Sequence, residues 1–197
     1  MLILFITPHA IAYTMRALVV YFSQTGNTRI LAEKIHDVIS TQLEADIGIV
    51  RSIGLDRLDQ YNVLFVGTPC HDSDLAPPVK GFLDRLPESP RFKVAGFFTH
   101  ATTMPDSDRN KELYDQWAGR CIPSFENACS RKNIEYLGTF HCQGKASEPI
   151  EQFIHQQIIT DEDEWNQYLA DLRTHPTASE IEHAERFALD IIGRLQQ

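Results

Sequence analysis

The chain is short of basic residues. Eighteen Lys and Arg stand against 27 Asp and Glu, for a formal charge of −9. That balance argues against a nucleic-acid binder, which needs a basic patch to displace counterions. It equally disfavours adsorption to an anionic membrane, and it suits steering toward a basic partner. No apolar run approaches the ~20 residues of a membrane span. The run at Leu2–Ile6 is cut at once by Thr7, Pro8 and His9, and no basic segment precedes it as a signal peptide would require. Residues 1–14 are therefore expected to be an extension upstream of a domain that starts near Met15. Cysteine is scarce as well: Cys70, Cys121, Cys129 and Cys142 include no C-x-x-C pair, which speaks against a zinc finger or a thioredoxin-like motif. A 197-residue chain with 43% hydrophobic residues can bury a core without such staples, so a reduced, cytoplasmic protein is expected. No G-x-G and no G-x-x-x-x-G-K-[ST] occurs, so the dinucleotide and NTPase fingerprints are missing.

What the chain does have is alternation. Five short runs rich in β-branched and aromatic residues are spaced by helical patterns: Ala17–Phe22, Ile47–Arg51, Val63–Gly67, Lys93–Phe98 and Ile134–Phe140. Four are almost continuously apolar, as strands buried on both faces should be, and the second is mixed, as an edge strand is. Leu31, Ile35, Val38 and Ile39 stripe a helix after the first strand. Pro77–Leu86 forms a shorter one. Leu113, Trp117 and Cys121 fit a third, which Pro123 should kink or restart. Thr177 and Glu180 have capping-box spacing ahead of a final helix marked by Ile181, Ala184, Ala188, Ile191 and Leu195. The order predicts an α/β fold: a five-stranded parallel sheet wound 2-1-3-4-5, with helices on both faces. Residues 145–178 are surplus to that plan. They carry two amphipathic patterns, the second capped at Thr160, and are expected to form a helical insertion before the last helix that covers a sheet edge or serves as a lid or docking surface.

In such sheets ligands sit beyond the carboxyl ends of the strands, at the switch point between the first and third. The loop after the first strand reads Ser23-Gln24-Thr25-Gly26-Asn27-Thr28. Gly26 permits a tight turn, three hydroxyls supply donors, and the opening of a helix adds N–H groups and a positive dipole end. This is a phosphate seat that needs no lysine. A bare helix cap needs only one such residue.

This loop, following Val19-Val20-Tyr21-Phe22, resembles the S-x-T-G-N-T phosphate loop of flavodoxins. The likeness in strand order extends over about residues 16–142 and 179–196. It implies a flavodoxin-like domain over residues 15–197, with FMN as cofactor and its phosphate on Ser23, Gln24, Thr25, Gly26, Asn27 and Thr28. It also implies that Thr68, Pro69, Cys70 and His71 flank the isoalloxazine, and that Thr99, His100, Ala101 and Thr102 bond its pyrimidine edge. The second loop departs from the family in having no Trp or Tyr to stack on the ring and no glycine to let a peptide turn. His71 or Cys70 stands there instead, with Met104 or His100 in the third loop.

The remaining His and Cys residues yield no metal-ligand spacing. His141 and Cys142, on an outer strand, are expected away from the switch point, and Cys121 and Cys129 read as packing residues. The leading expectation is an electron carrier between partner proteins, the acidic charge steering it to a redox partner with a basic surface. The alternative is an FMN-dependent NAD(P)H reductase of quinones or other small acceptors, which an unsandwiched ring would favour. A flavin-free docking module is the alternative of another class. A receiver domain is disfavoured, because the acidic cluster and the phospho-accepting Asp it needs are missing.

Overall fold

A computed structural model describes residues 15–197; the expectation for residues 1–14 falls outside them. The strands are β1 (Arg16–Tyr21), β2 (Glu44–Ile49), β3 (Val63–His71), β4 (Asp74–Leu75), β5 (Lys93–His100) and β6 (Tyr136–Gln143). The helices are α1 (Asn27–Ile39), α2 (Pro77–Asp84), α3 (Asp108–Trp117), α4 (Cys121–Arg131), α5 (Glu148–Gln157), α6 (Glu162–Leu172) and α7 (Ala178–Leu195). The parallel ladder runs β2-β1-β3-β5-β6, which is the expected winding once the two-residue β4, a hairpin arm on β3, is set aside.

Alternating side chains of the inner strands feed two cores. On one face Leu18, Leu64, Val66 and Phe98 pack against Val79 and Phe82 of α2 and Phe125 of α4. On the other, Val19, Phe65 and Phe97 pack against Leu31 and Ile35 of α1 and Ala188 and Ile191 of α7. Burial on both faces is why these strands read as unbroken apolar runs.

Boundaries shift where ladder hydrogen bonds outweigh composition. The second strand runs Glu44–Ile49 rather than Ile47–Arg51, because pairing with β1 begins at Arg16↔Glu44 and the chain turns after Ile49. Its acids do not deter pairing: Arg16 meets Glu44 at 3.2 Å and Asp46 at 3.1 Å. Likewise β6 continues through polar His141 and Gln143, since β5 offers it a partner as far as His100↔Gln143. The third helical pattern is two helices, broken at Ala118–Arg120 with Pro123 in the first turn of α4. The capping box forms at Thr177 and Glu180. The cap of α6 is Asp161, not Thr160: its carboxylate accepts from the N–H groups of Asp163 and Glu164. The acids of that first turn also complement the helix dipole.

Candidate functional site

β1 holds the sheet until Phe22, whose N–H donates to the Gly67 carbonyl at 3.0 Å. The chain then lifts off at Ser23. Gly26 takes a φ of +97°, left-handed geometry that a side chain disfavours, and its N–H donates to Ser23 Oγ at 3.2 Å. No side chain caps α1. Among the described residues, the N–H groups of Gln24, Thr25, Asn27, Thr28 and Arg29 meet no protein acceptor. They gather at the positive end of a 13-residue helix, the arrangement that binds anions.

The side chains of the loop mostly brace it. Buried Asn27 donates to Thr25 Oγ1 (2.8 Å) and to the Lys145 carbonyl (2.9 Å), and Thr25 Oγ1 donates to that same carbonyl at 3.1 Å. The segment after β6 therefore clamps the loop. Gly144 makes the clamp possible, because a Cβ there would lie 2.9 Å from Asn27 Cβ. Thr28, also buried, shares a hydrogen bond of 2.9 Å with Thr99 Oγ1 at the end of β5. Replacing Thr28 by Val strands a buried hydroxyl, so Thr28→Val is expected to lose about 1–3 kcal/mol of stability. Thr28→Val/Thr99→Val should recover part of that loss, as urea unfolding of the two variants would show.

The second loop is a hairpin rather than a free loop. Asp72 and Ser73 both have positive φ (50° and 66°), a primed turn joining β3 to β4. Thr68 is fully buried, and its Oγ1 accepts from the Ala76 N–H at 3.0 Å. Pro69, Cys70 and His71 are half-buried along the outer arm. The His71 ring stands edge-on to Phe22, with centroids 6.2 Å apart, and burial lowers its pKa below the usual 6.5. The hairpin tip is fixed to the start of α4, where the Arg120 N–H donates to the Ser73 carbonyl at 3.1 Å and the Arg120 guanidinium to the Asp72 carbonyl.

In the third loop Thr99 faces the Ser23–Thr28 loop, and His100 points to the opposite face of the sheet. His141, expected away from the switch point, lies against His100, because β6 is the direct neighbour of β5. The Thr102 carbonyl can only accept, so His100 Nδ1 carries the proton of their 2.9 Å hydrogen bond. That leaves His100 Nε2 to accept from His141 Nδ1 at 3.1 Å, and His141 Nε2 to accept from Tyr114 Oη at 3.4 Å. One direction of donation runs through the whole chain, with both rings neutral. Burial and the neighbouring His141 lower the pKa of His100 to about 3, and burial lowers that of His141 as well. Phe98 stacks on His141 with centroids 5.0 Å apart. Ala101 is held from the insertion, where Tyr168 Oη of α6 donates to its carbonyl at 2.5 Å.

Two polar atoms at this edge, Thr103 Oγ1 and Gln143 Nε2, are buried without a partner among the described residues. Both can hydrogen-bond a ligand. Beside the Ser23–Thr28 loop an open depression of about 390 Å³ is lined by Phe22, Ser23, Gly26, Arg29, Ile49 and Arg51. It lies on the β2 side of the loop, not between the second and third loops. Its two arginines add positive charge next to the N–H groups.

Sequence reasoning missed Tyr114, Gly144, Lys145 and Tyr168. Only Gly144 had a signal, a glycine four residues beyond the apolar run that ends at Phe140. The other three act through tertiary contacts that no spacing encodes.

Comparison with known proteins places these features in context. A family model described as Flavodoxin domain matches residues 18–189. A flavodoxin-like domain-containing protein, BilS, of Clostridioides difficile (strain CD3) is 27% identical over 192 residues, covering 90% of this chain and 97% of that protein. Among solved structures, a flavodoxin from the domain Archaea superposes with a TM-score of 0.60 at 15% identity, over 93% of this chain and all of the other. Oxidised Flavodoxin 2 from Bacillus cereus gives 0.59 at 16% identity, over 91% of this chain and 99% of the other.

Proposed function

Because the chain belongs to the Flavodoxin domain family, we propose that it binds FMN at the carboxyl edge of its sheet and carries electrons between partner proteins. The observation that carries this reading is the loop Ser23–Thr28, where the N–H groups of Gln24, Thr25, Asn27 and Thr28 converge without protein acceptors while its side chains hold the backbone in place. In this reading the phosphate lies on the N–H groups from Ser23 to Thr28, with Arg29 adding charge. Thr68, Pro69, Cys70 and His71 stand on one side of the ring, and Thr99, His100, Ala101 and Thr102 lie at its edge. The unpartnered Thr103 Oγ1 and Gln143 Nε2 supply hydrogen bonds to polar atoms of that edge.

FMN, when bound, supplies one- and two-electron chemistry that no side chain here provides. The chain's own part is to bind and orient. Thr28 and Thr99 tie the phosphate loop to β5, so the first and third loops move as one unit. The Tyr114–His141–His100 chain holds the Thr102 carbonyl, and Tyr168 holds that of Ala101. Both carbonyls of the third loop are thereby fixed before any ligand arrives, which limits the ordering cost of binding. The net charge of −9 steers the carrier toward a partner with a basic docking surface. Among the described residues no helix is long and apolar enough to cross a membrane.

One observation favours a second reading, an FMN-dependent NAD(P)H reductase. The residues flanking the ring include no Trp or Tyr, which leaves a face open to a second substrate. Stopped-flow mixing of the FMN-loaded protein with NADH or NADPH separates the two. Bleaching of flavin absorbance within seconds marks a reductase, and no bleaching leaves the carrier. A purified protein with no flavin absorbance, and none gained on adding FMN, would overturn both.

A further inference from the structure

On the α4 side of the sheet two thiols belong to one packed cluster. Cys70 lies near the end of β3, half-buried, and Cys121 is the first residue of α4, fully buried. Cys70 packs against the same apolar cluster that contains Cys121. Rigid elements bring them together: the Asp72–Ser73 turn is bonded to Arg120, the residue next to Cys121. Cys70 Sγ also donates to the Trp117 carbonyl at 3.3 Å, and Cys121 Sγ to the Ser73 carbonyl at 3.9 Å. Each sulfur is thus tethered to the other's segment. The remaining cysteines stand apart. Cys129 is eight residues along α4 from Cys121 and buried, and Cys142 faces the opposite core.

The pair is asymmetric. Cys70 has solvent access and Cys121 has none. The Cys70 sulfur beside it, and then burial, hold the Cys121 thiol far above the ordinary thiol range, so Cys121 keeps its proton while Cys70 reacts. Thiol–disulfide exchange needs this division between an accessible attacking sulfur and a protected resolving one.

We propose that Cys70 and Cys121 form a dithiol–disulfide centre, with Cys70 as attacking sulfur, Cys121 as resolving sulfur and a small organic disulfide as co-substrate. The Cys70 sulfur attacks one sulfur of RSSR. A Cys70–SR bond forms, the RS–SR bond breaks, and the departing thiolate takes up the proton Cys70 gave up. The Cys121 sulfur then attacks the Cys70 sulfur. The Cys70–Cys121 bond forms, the second RS⁻ leaves, and it takes the proton of Cys121. Two thiols of the protein are oxidised by two electrons, and one RSSR is reduced to two RSH. The centre stands on the thiol geometry alone and holds whether or not FMN binds.

The test is to incubate the reduced full chain, without added flavin, with excess glutathione disulfide, then count alkylatable thiols and map peptides by mass spectrometry. Two of the four thiols should disappear, the protein should lose the mass of two hydrogens, and a Cys70–Cys121 linked peptide should appear. Cys121→Ser should instead accumulate one glutathione on Cys70, because nothing resolves the mixed disulfide. Cys70→Ser should react at least about tenfold more slowly. Four alkylatable thiols after exposure, or a link or adduct confined to Cys129 or Cys142, would overturn the proposal. Equal oxidation of wild type and Cys70→Ser would overturn it too.

Discussion

Acidification from pH 7.5 to 4.5 is expected to remove several kcal/mol of stability, much of it through His100. In the folded chain His100 takes a proton only near pH 3, whereas unfolded it does so near 6.5. Between those values the unfolded state binds more protons, so stability is whole above 6.5 and declines as pH falls toward 3. The slope from one such group approaches ~1.4 kcal/mol per pH unit, or roughly 2–3 kcal/mol at pH 4.5. His141, also shifted down, adds to the loss in the same direction. Protonation of either ring disrupts the one-way donor chain from Tyr114 to Thr102, because a charged His100 no longer accepts from His141. Urea unfolding of wild type and His100→Gln at the two pH values measures this. The variant should be less stable at pH 7.5 but lose distinctly less on acidification. An identical pH slope in the two proteins would show that His100 is not the group responsible.

Gly144→Val is expected to weaken FMN binding by about ten- to a hundredfold. Its Cβ would intrude to 2.9 Å from Asn27 Cβ, the unyielding end of that side chain, so Asn27 must leave its seat. With it go the hydrogen bonds to Thr25 and Lys145 that fix the Ser23–Thr28 loop. At ~0.5–1.5 kcal/mol each in net terms, plus the cost of ordering a freed loop on binding, the loss is about 1.4–2.8 kcal/mol. Asn27→Ala should give a similar loss by removing the same bonds from the other side. Fluorescence titration with FMN reports both, and unchanged affinity in both would separate the clamp from binding.

The winding of the sheet was legible because buried parallel strands write continuous apolar runs, and the tight Ser23–Thr28 turn because its glycine sits between a strand and a helix. Composition misled where hydrogen bonding decides. His141 and Gln143 look like loop residues, yet β5 extends a ladder to them. Asp72-Ser73 lacks the glycine that marks a primed turn, so the hairpin that ties Cys70's strand to the start of α4 was hidden. Cys121 reads as packing from its helical spacing and is indeed buried, but its cluster also holds a second thiol, Cys70. The bonds from Tyr168 to Ala101 and from Tyr114 to His141 join elements distant in sequence, and no local pattern announces them.

The central claim is that the loop Ser23–Thr28 seats a phosphate, and comparing FMN with riboflavin tests it most directly. The two ligands share the ring and differ by the phosphate. Several charge-assisted hydrogen bonds from the loop, at ~1.5–3 kcal/mol each, should make FMN bind at least about a hundredfold more tightly in a fluorescence titration. Equal affinities for FMN and riboflavin, or binding of neither, would contradict the account.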